Sequence, residues 1–209
     1  MKILVICDDF YHHSDTIKEG LEFLNTNHTV EINENALSLN PSTFSDYDVI
    51  TLAKDNLNNR DDATSFLTDE FLDALTAFVE SGKGLLILHA GTVCEKTPRL
   101  KALIGCAFVQ HPTQLPVTFA VTAQNAITSG VSDFTETDEH YFIDLVANDA
   151  EIFLESRSVH GEQPSGYVRN YGKGHVAVLL PGHNVPVFKN ANYAKLIENT
   201  LNYIGGING

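Results

Sequence analysis

The stretch Gly82-Lys83-Gly84-Leu85-Leu86-Ile87-Leu88-His89-Ala90-Gly91 constrains the fold more than any other part of the chain. Aliphatic residues run unbroken from the second glycine to a histidine. A run this apolar, bounded by turn residues, reads as a strand buried on both faces, as in a parallel sheet. Ligands of open parallel sheets bind beyond the carboxyl ends of the strands. His89, the first residue off this strand, is therefore a site candidate, and Gly91 permits the sharp turn that follows.

The flanking pattern agrees. Residues 2–7 form an aliphatic strand, and residues 28–33 and 47–52 give two more. Between the first two, Ile17, Leu21 and Leu24 make a helical stripe, with Thr16 and Glu19 as a capping box. Residues 54–67 are polar and read as a surface loop. Thr68 caps the next helix, whose buried stripe is Phe71, Leu75, Phe78 and Val79 and whose stop is Gly82. Thr97-Pro98 opens a short helix closed by Gly105. From Phe108 to about Val159 the pattern changes, with strands at 115–121 and 152–154 in an elaboration of the sheet. A second fully apolar strand at 176–180 runs into Pro181-Gly182-His183. Tyr193, Leu196, Ile197, Leu201 and Ile204 stripe a last helix. Strands alternating with helices predict one α/β domain over 1–209, doubly wound and mostly parallel, with helices on both faces.

Composition narrows the function. A formal net charge of −14 argues against nucleic acid and anionic membranes, which require a basic footprint. No apolar run reaches the roughly 18 residues of a membrane helix. The N-terminus lacks the long apolar region of a signal peptide. Cys7, Cys94 and Cys106 are too few and too scattered for a disulfide framework. These features predict a cytoplasmic protein acting on a neutral small molecule. An exposed edge or helix face could support a homo-oligomer.

The chemistry-bearing residues collect at strand ends. His89 and His183 each follow a buried strand, so a parallel sheet delivers both to one rim. Asp8 and Asp9 emerge there too, and serve equally well as turn formers. His111 and Asp138-Glu139-His140-Tyr141 are further candidates. Histidines and carboxylates in one cleft either hold a metal such as zinc or move protons near neutral pH. His12, His13, His28 and His160 read as structural or solvent-exposed. The loop after the first strand has no glycine to cradle phosphate. His89 stands where a nucleophile elbow would place Ser or Cys, and Cys94 lies five residues beyond it, which argues against amide hydrolysis by a thiol.

Several segments together resemble one family. Residues 82–91, His111-Pro112, and the segment from Asp133 to Tyr141 resemble elements of the ThuA-like (trehalose utilisation) proteins. So does Tyr167-Val168-Arg169-Asn170-Tyr171-Gly172-Lys173-Gly174, followed by Gly182-His183. The elements occur in family order over nearly the whole chain. The resemblance implies the class I glutamine amidotransferase-like, flavodoxin-like fold, with histidine replacing the amidotransferase cysteine. It also implies a role with trehalose or oxidised (keto) disaccharides. His89, His111, Glu139 and His183 would form the polar core of the pocket, with Tyr141, Arg169 and Tyr171 as supports. The chain departs from the family pattern at Tyr167, His175, His140 and Asn125-Ala126, changes expected near the pocket.

The leading expectation is an enzyme acting on a neutral or keto-sugar by isomerisation, elimination or metal-assisted hydrolysis. His89 and His183 would act as acid/base groups or zinc ligands, with Glu139 their carboxylate partner. No other cofactor is implied. The competing expectation is a non-catalytic sugar-binding or partner protein that keeps a degenerate amidotransferase-like pocket.

Overall fold

The chain opens with β1 (Lys2–Cys7), α1 (Ser14–Gly20), β2 (Thr29–Asn33) and β3 (Val49–Ala53). A small hairpin, β4 (Leu57–Asn59) and β5 (Asp62–Ser65), leads to α2 (Asp69–Glu80) and β6 (Gly84–Leu88). Next come α3 (Pro98–Ile104), β7 (Cys106–Gln110), β8 (Leu115–Val121), β9 (Phe134–Asp138) and β10 (Phe142–Leu145). The chain closes with β11 (Glu151–Ser158), β12 (Gly161–Tyr171), β13 (Gly174–Leu179), α4 (Val185–Lys189) and α5 (Ala191–Ile204). The computed structural model describes residues 1–206; the last three residues of the expected single-domain span lie outside the described residues.

A nine-stranded sheet organises the molecule in the order β2-β1-β3-β6-β13-β12-β11-β8-β9. The pairs from β2 through β13 are all parallel. From β13 onward each pair is antiparallel, so β8, β9 and β11 of the segment after residue 108 extend the same sheet, while β10 pairs with β7 in a separate two-stranded sheet. The strands of this segment are harder to read because they alternate polar and apolar residues and carry register shifts, as between Ile152 and Glu155.

Alternating side chains of β6 split between two cores. Leu86 and Leu88 join the cluster containing α1, α4 and α5, whereas Leu85 and Ile87 join that of α2 and α3. Helices therefore cover both faces, which is why this strand is apolar at every position. Helix α2 begins as expected, with the Thr68 hydroxyl accepting the Phe71 N–H at 3.2 Å. It buries Phe71, Leu72, Leu75, Phe78 and Val79. Each such burial contributes about 1.5–3 kcal/mol. No helix among the described residues is long and apolar enough to cross a membrane.

Two local expectations are corrected. Helix α1 starts at Ser14, before the Thr16–Glu19 box, and no side chain of its own caps it. The Asp8 carboxylate accepts the Ser14 N–H at 3.1 Å instead, supplying the negative charge that a helix start favours. Residues 54–67 are not a solvated loop. Lys54 is 1% exposed, and its ammonium donates to the carbonyls of Asp8 and Asn58 at 2.8 Å each, and to that of Leu57. Phe66 is buried as well. Arg60 donates from Nε to Asp8 at 2.8 Å, fastening the hairpin to the end of β1. The polarity of this segment serves internal bonding to one strand end.

Candidate functional site

The parallel strands set the site. Leu179 of β13 lies opposite Leu88 of β6, so the residues after each strand leave the sheet side by side. His89 turns with a φ of 42°, in the left-handed region, and opens a short 3₁₀ turn at His89–Thr92. A non-glycine residue there costs about 1–3 kcal/mol, a strain that clusters at functional sites. Room for the turn comes from Gly91, where a Cβ would collide with the Leu52 carbonyl oxygen. Gly182, with φ 143°, turns the chain after β13 and points His183 back.

One carboxylate oxygen lies at the centre. Glu139 Oε2 is 3.1 Å from His183 Nδ1, 3.4 Å from His89 Nε2, 3.7 Å from His111 Nε2 and 4.0 Å from His12 Nε2. The sequence-derived core of His89, His111, Glu139 and His183 is therefore brought together. His12, read from the sequence as structural or solvent-exposed, must be added. Nothing near it marks it as a site residue; only the parallel order of β1, β3 and β6 puts its loop over the same rim. The ligand atoms of His12, His89, Glu139 and His183 all lie within 4.8 Å of one another, a grouping able to hold a metal ion.

Each side chain is held from behind. His89 Nδ1 donates to the Leu180 carbonyl at 2.7 Å, leaving Nε2 aimed at Glu139. His12 Nδ1 is 2.9 Å from the carboxylate of Asp9. Asp9 is fully buried and also accepts the Asp55 N–H at 2.9 Å, a bond from the end of β3. Asp138, likewise fully buried, accepts the N–H groups of Gly182 at 2.9 Å and His183 at 3.0 Å. The Tyr141 ring stacks on His89 at 3.9 Å between centroids, and its hydroxyl lies 3.3 Å from His12 Nε2. Asp9 was not separable from a turn-forming acid by sequence, whereas Asp138 stood in the candidate run 138–141; each acts by placing a histidine.

These surroundings set the charges. Burial alone would raise the Glu139 carboxyl, but the imidazoles of His12, His183 and His89 that face it outweigh burial and hold the group far below the usual range. Burial lowers His12, yet Asp9 and then Glu139 prevail and push it up to about 9. His89 is kept below its ordinary value, first by burial, with Glu139 opposing. A carboxylate, a charged imidazole and a neutral one thus share one floor. Pairs of groups driven apart in this way divide acid and base roles.

The floor closes a cavity of about 510 Å³. Tyr11, Phe108 and Tyr141 give it aromatic walls, and Val93 and Asp55 complete the lining. No thiol lines it. Cys94 is buried, and burial pushes it up to about 12, so it supplies no thiolate near neutral pH.

Arg169 and Tyr171 do not support this pocket. They pair with Val176 and Gly174 at the start of β13, the end remote from His183. Arg169 bonds Asp149 at 3.1 Å and donates to the Ala102 carbonyl at 2.9 Å. It ties β12 to the end of α3, and its guanidinium lies 5.6 Å from the Tyr171 ring. The family-pattern departures also lie off the pocket. Tyr167 donates to the Ile104 carbonyl in the core, His175 packs on Tyr203, and His140 sits between Ser156 and Ser158.

The ThuA family, described as trehalose utilisation, matches residues 2–204. This chain belongs to the ThuA family. A search of the curated proteins finds no match to it. Among solved structures, a protein of Parabacteroides merdae described as ThuA-like superposes with a TM-score of 0.78 at 15% identity, over 98% of this chain and 90% of that one. A second ThuA-like protein, from Bacteroides uniformis, gives 0.75 at 17% identity, over 98% and 91%. A cytoplasmic protein of Salmonella typhimurium gives 0.71 at 17%, over 98% and 99%. At these identities the likeness to the solved structures speaks for a shared ThuA fold, a mixed α/β sheet with helices.

Proposed function

We propose that this ThuA-family chain is an enzyme of carbohydrate utilisation that acts on a neutral or oxidised (keto) sugar, through proton transfer next to a carbonyl. The observation that carries the reading is the single oxygen of Glu139, faced by four imidazoles within 4.0 Å on the floor of an aromatic-walled cavity. Glu139 or neutral His89 takes the proton from the carbon beside the carbonyl, and a protonated histidine covers the developing enolate oxygen. Returning the proton to the neighbouring carbon completes an isomerisation; expelling a β-substituent completes an elimination. Tyr11, Phe108 and Tyr141 offer apolar faces to sugar C–H groups.

The wider setting follows the same reading. The parallel strand order β2-β1-β3-β6-β13 fits a doubly wound, flavodoxin-like sheet of the class I glutamine amidotransferase-like type, read as one domain. The acidic balance favours a cytoplasmic protein without nucleic-acid or membrane partners, and a relative described as cytoplasmic supports that placement. A homo-oligomer is compatible with this assignment.

The test is an NMR assay of the keto derivative of trehalose in D₂O, with trehalose itself, which has no carbonyl, as the control. Wild-type protein is expected to exchange the proton beside the carbonyl and form product, and His89→Ala and Glu139→Gln to lose at least about 100-fold of that rate. Saturable binding with no exchange would favour the non-catalytic sugar-binding reading. Neither binding nor exchange would sink both.

A further inference from the structure

Three buried atoms at the floor of the cavity have no hydrogen-bond partner: His89 Nε2, Glu139 Oε2 and His183 Nδ1. They face one another. The Leu180 carbonyl can only accept, so it fixes the proton of His89 on Nδ1 and leaves a lone pair on Nε2. His89 is 3% exposed, too buried for bulk water to satisfy that lone pair. The His89 lone pair thus faces the anionic oxygen of Glu139 at 3.4 Å, an unfavourable pairing unless a cation lies between them.

We propose that His12, His89, Glu139 and His183 form a binding site for a divalent transition-metal ion, with zinc the first candidate. The ligand spacing fits. Tetrahedral zinc with bonds of about 2.0–2.1 Å separates its ligand atoms by about 3.3–3.4 Å. The Glu139 oxygen already stands 3.1, 3.4 and 4.0 Å from the nitrogens of His183, His89 and His12. The donor set, three imidazoles and one carboxylate, suits zinc, iron or nickel and disfavours magnesium and calcium, which prefer oxygen.

The outer contacts match what metal-bound histidines require. Such a histidine donates its remote N–H to a carboxylate or carbonyl, which fixes its orientation and raises its basicity. His12 has Asp9 in that place at 2.9 Å, and His89 has Leu180 at 2.7 Å. Four protein ligands fill a tetrahedral sphere, so a sugar carbonyl or hydroxyl arriving from the 510 Å³ cavity would bind as a fifth ligand, an expansion that zinc allows. The proposal deepens the sugar reading above and rests on it for the identity of that incoming ligand; with the ion bound, Glu139 and His89 are ligands and the proton-accepting role falls to His111, which stands outside the ligand set. The ligand set stands on geometry alone.

The experiment is elemental analysis of the untagged, full-length protein, followed by titration of chelator-treated protein with Zn²⁺ and with Co²⁺ monitored by visible absorption. Close to one metal per chain is expected, with cobalt d–d bands of a four- or five-coordinate ion. His12→Ala is expected to weaken binding at least 100-fold and Asp9→Asn about 10- to 100-fold, while exposed His160→Ala leaves it unchanged. Glu139→Gln, close in shape, covers the case in which His12→Ala does not fold, and is expected to weaken binding and shift the cobalt bands. A protein that neither retains metal nor binds either ion at micromolar concentration overturns the site, whatever the sugar assay gives. Metal bound with no exchange of sugar protons upholds the site and removes the sugar reading. Binding that survives both His12→Ala and Glu139→Gln overturns the ligand set.

Discussion

The carboxylate of Asp138 accepts the main-chain N–H of His183 at 3.0 Å. A residue ending an antiparallel strand thereby fixes the loop that follows the last parallel one, next door to the residue, Glu139, that the loop's histidine faces. The far edge of the antiparallel half is in this way tied to the end of the last parallel strand. Replacing Asp138 with Ala strands two buried N–H groups, those of Gly182 and His183. The expected loss is about 2–4 kcal/mol of stability, with a drop in pocket function beyond it. Urea melts check the first and sugar turnover the second. A fully stable, fully active variant would refute the clamp.

Tyr141 separates packing from polarity. Its ring lies flat on His89, and its hydroxyl reaches His12 at 3.3 Å. Tyr141→Phe keeps the stack and removes the hydroxyl. Stability is expected to change by less than about 1 kcal/mol, whereas turnover falls about 10- to 100-fold, the scale of a hydrogen bond to a charged group. Equal activity in the two proteins would assign the hydroxyl no role.

Acid sensitivity has a named source in Asp8. Burial would raise its carboxyl, but the side-chain bonds from Arg60 and the backbone N–H of Ser14 prevail and hold it at about 2, against 3.8 for a free side chain. Because the folded value lies below the unfolded one, the stabilisation is complete above about pH 4 and is lost as the pH falls towards 2. Asp8→Asn is expected to flatten the stability–pH curve in that window by about 1–2 kcal/mol, after allowance for the partial exposure of Arg60. Denaturant melts between pH 2 and 5 read this directly, and an unchanged slope would exclude Asp8.

Arg169→Gln gives the complementary result. The side chain braces β12 against Asp149 and the end of α3, at the far end of β13 from the site. Stability is expected to fall by about 1 kcal/mol, with KM and kcat for the sugar reaction unchanged. A kinetic effect of tenfold or more would restore Arg169 to the pocket.

Gly91→Ala probes the elbow. A methyl group there meets the Leu52 carbonyl oxygen and the Ile87 side chain, with backbone on one side. Overpacking of this kind costs about 1–3 kcal/mol or more, and the displaced turn carries His89 with it. Both the melting temperature and turnover are expected to fall, and a silent substitution would show the elbow to be slack.

The parallel half of the fold was legible because burial on both faces leaves an unbroken apolar signature, as in Leu85–Leu88 and Val176–Leu180. Strand-end logic then yielded His89 and His183 without any structure. The antiparallel half was blurred, since one-sided burial and the register shifts of β11 break the alternation. His12 was missed for a physical reason: its role depends on a carboxylate three residues back and on partners more than 70 positions away, and neither leaves a local pattern. Arg169 was misplaced because a motif match carries no information about which end of a strand lies near the chemistry. Lys54 misled in the opposite sense, its charge satisfied by main-chain carbonyls rather than by water.

The residues that converge on Glu139 come from positions 12, 89, 111 and 183, nearly the span of the chain. Such long-range closure is slow and comes late in folding. During synthesis, β13 and His183 leave the ribosome after every other part of the floor, so the growing chain holds an incomplete floor until then. A fragment cut just before residue 183 retains every strand of the sheet but not the constellation. The complete ring of imidazoles around Glu139 therefore exists only in chains made past residue 183.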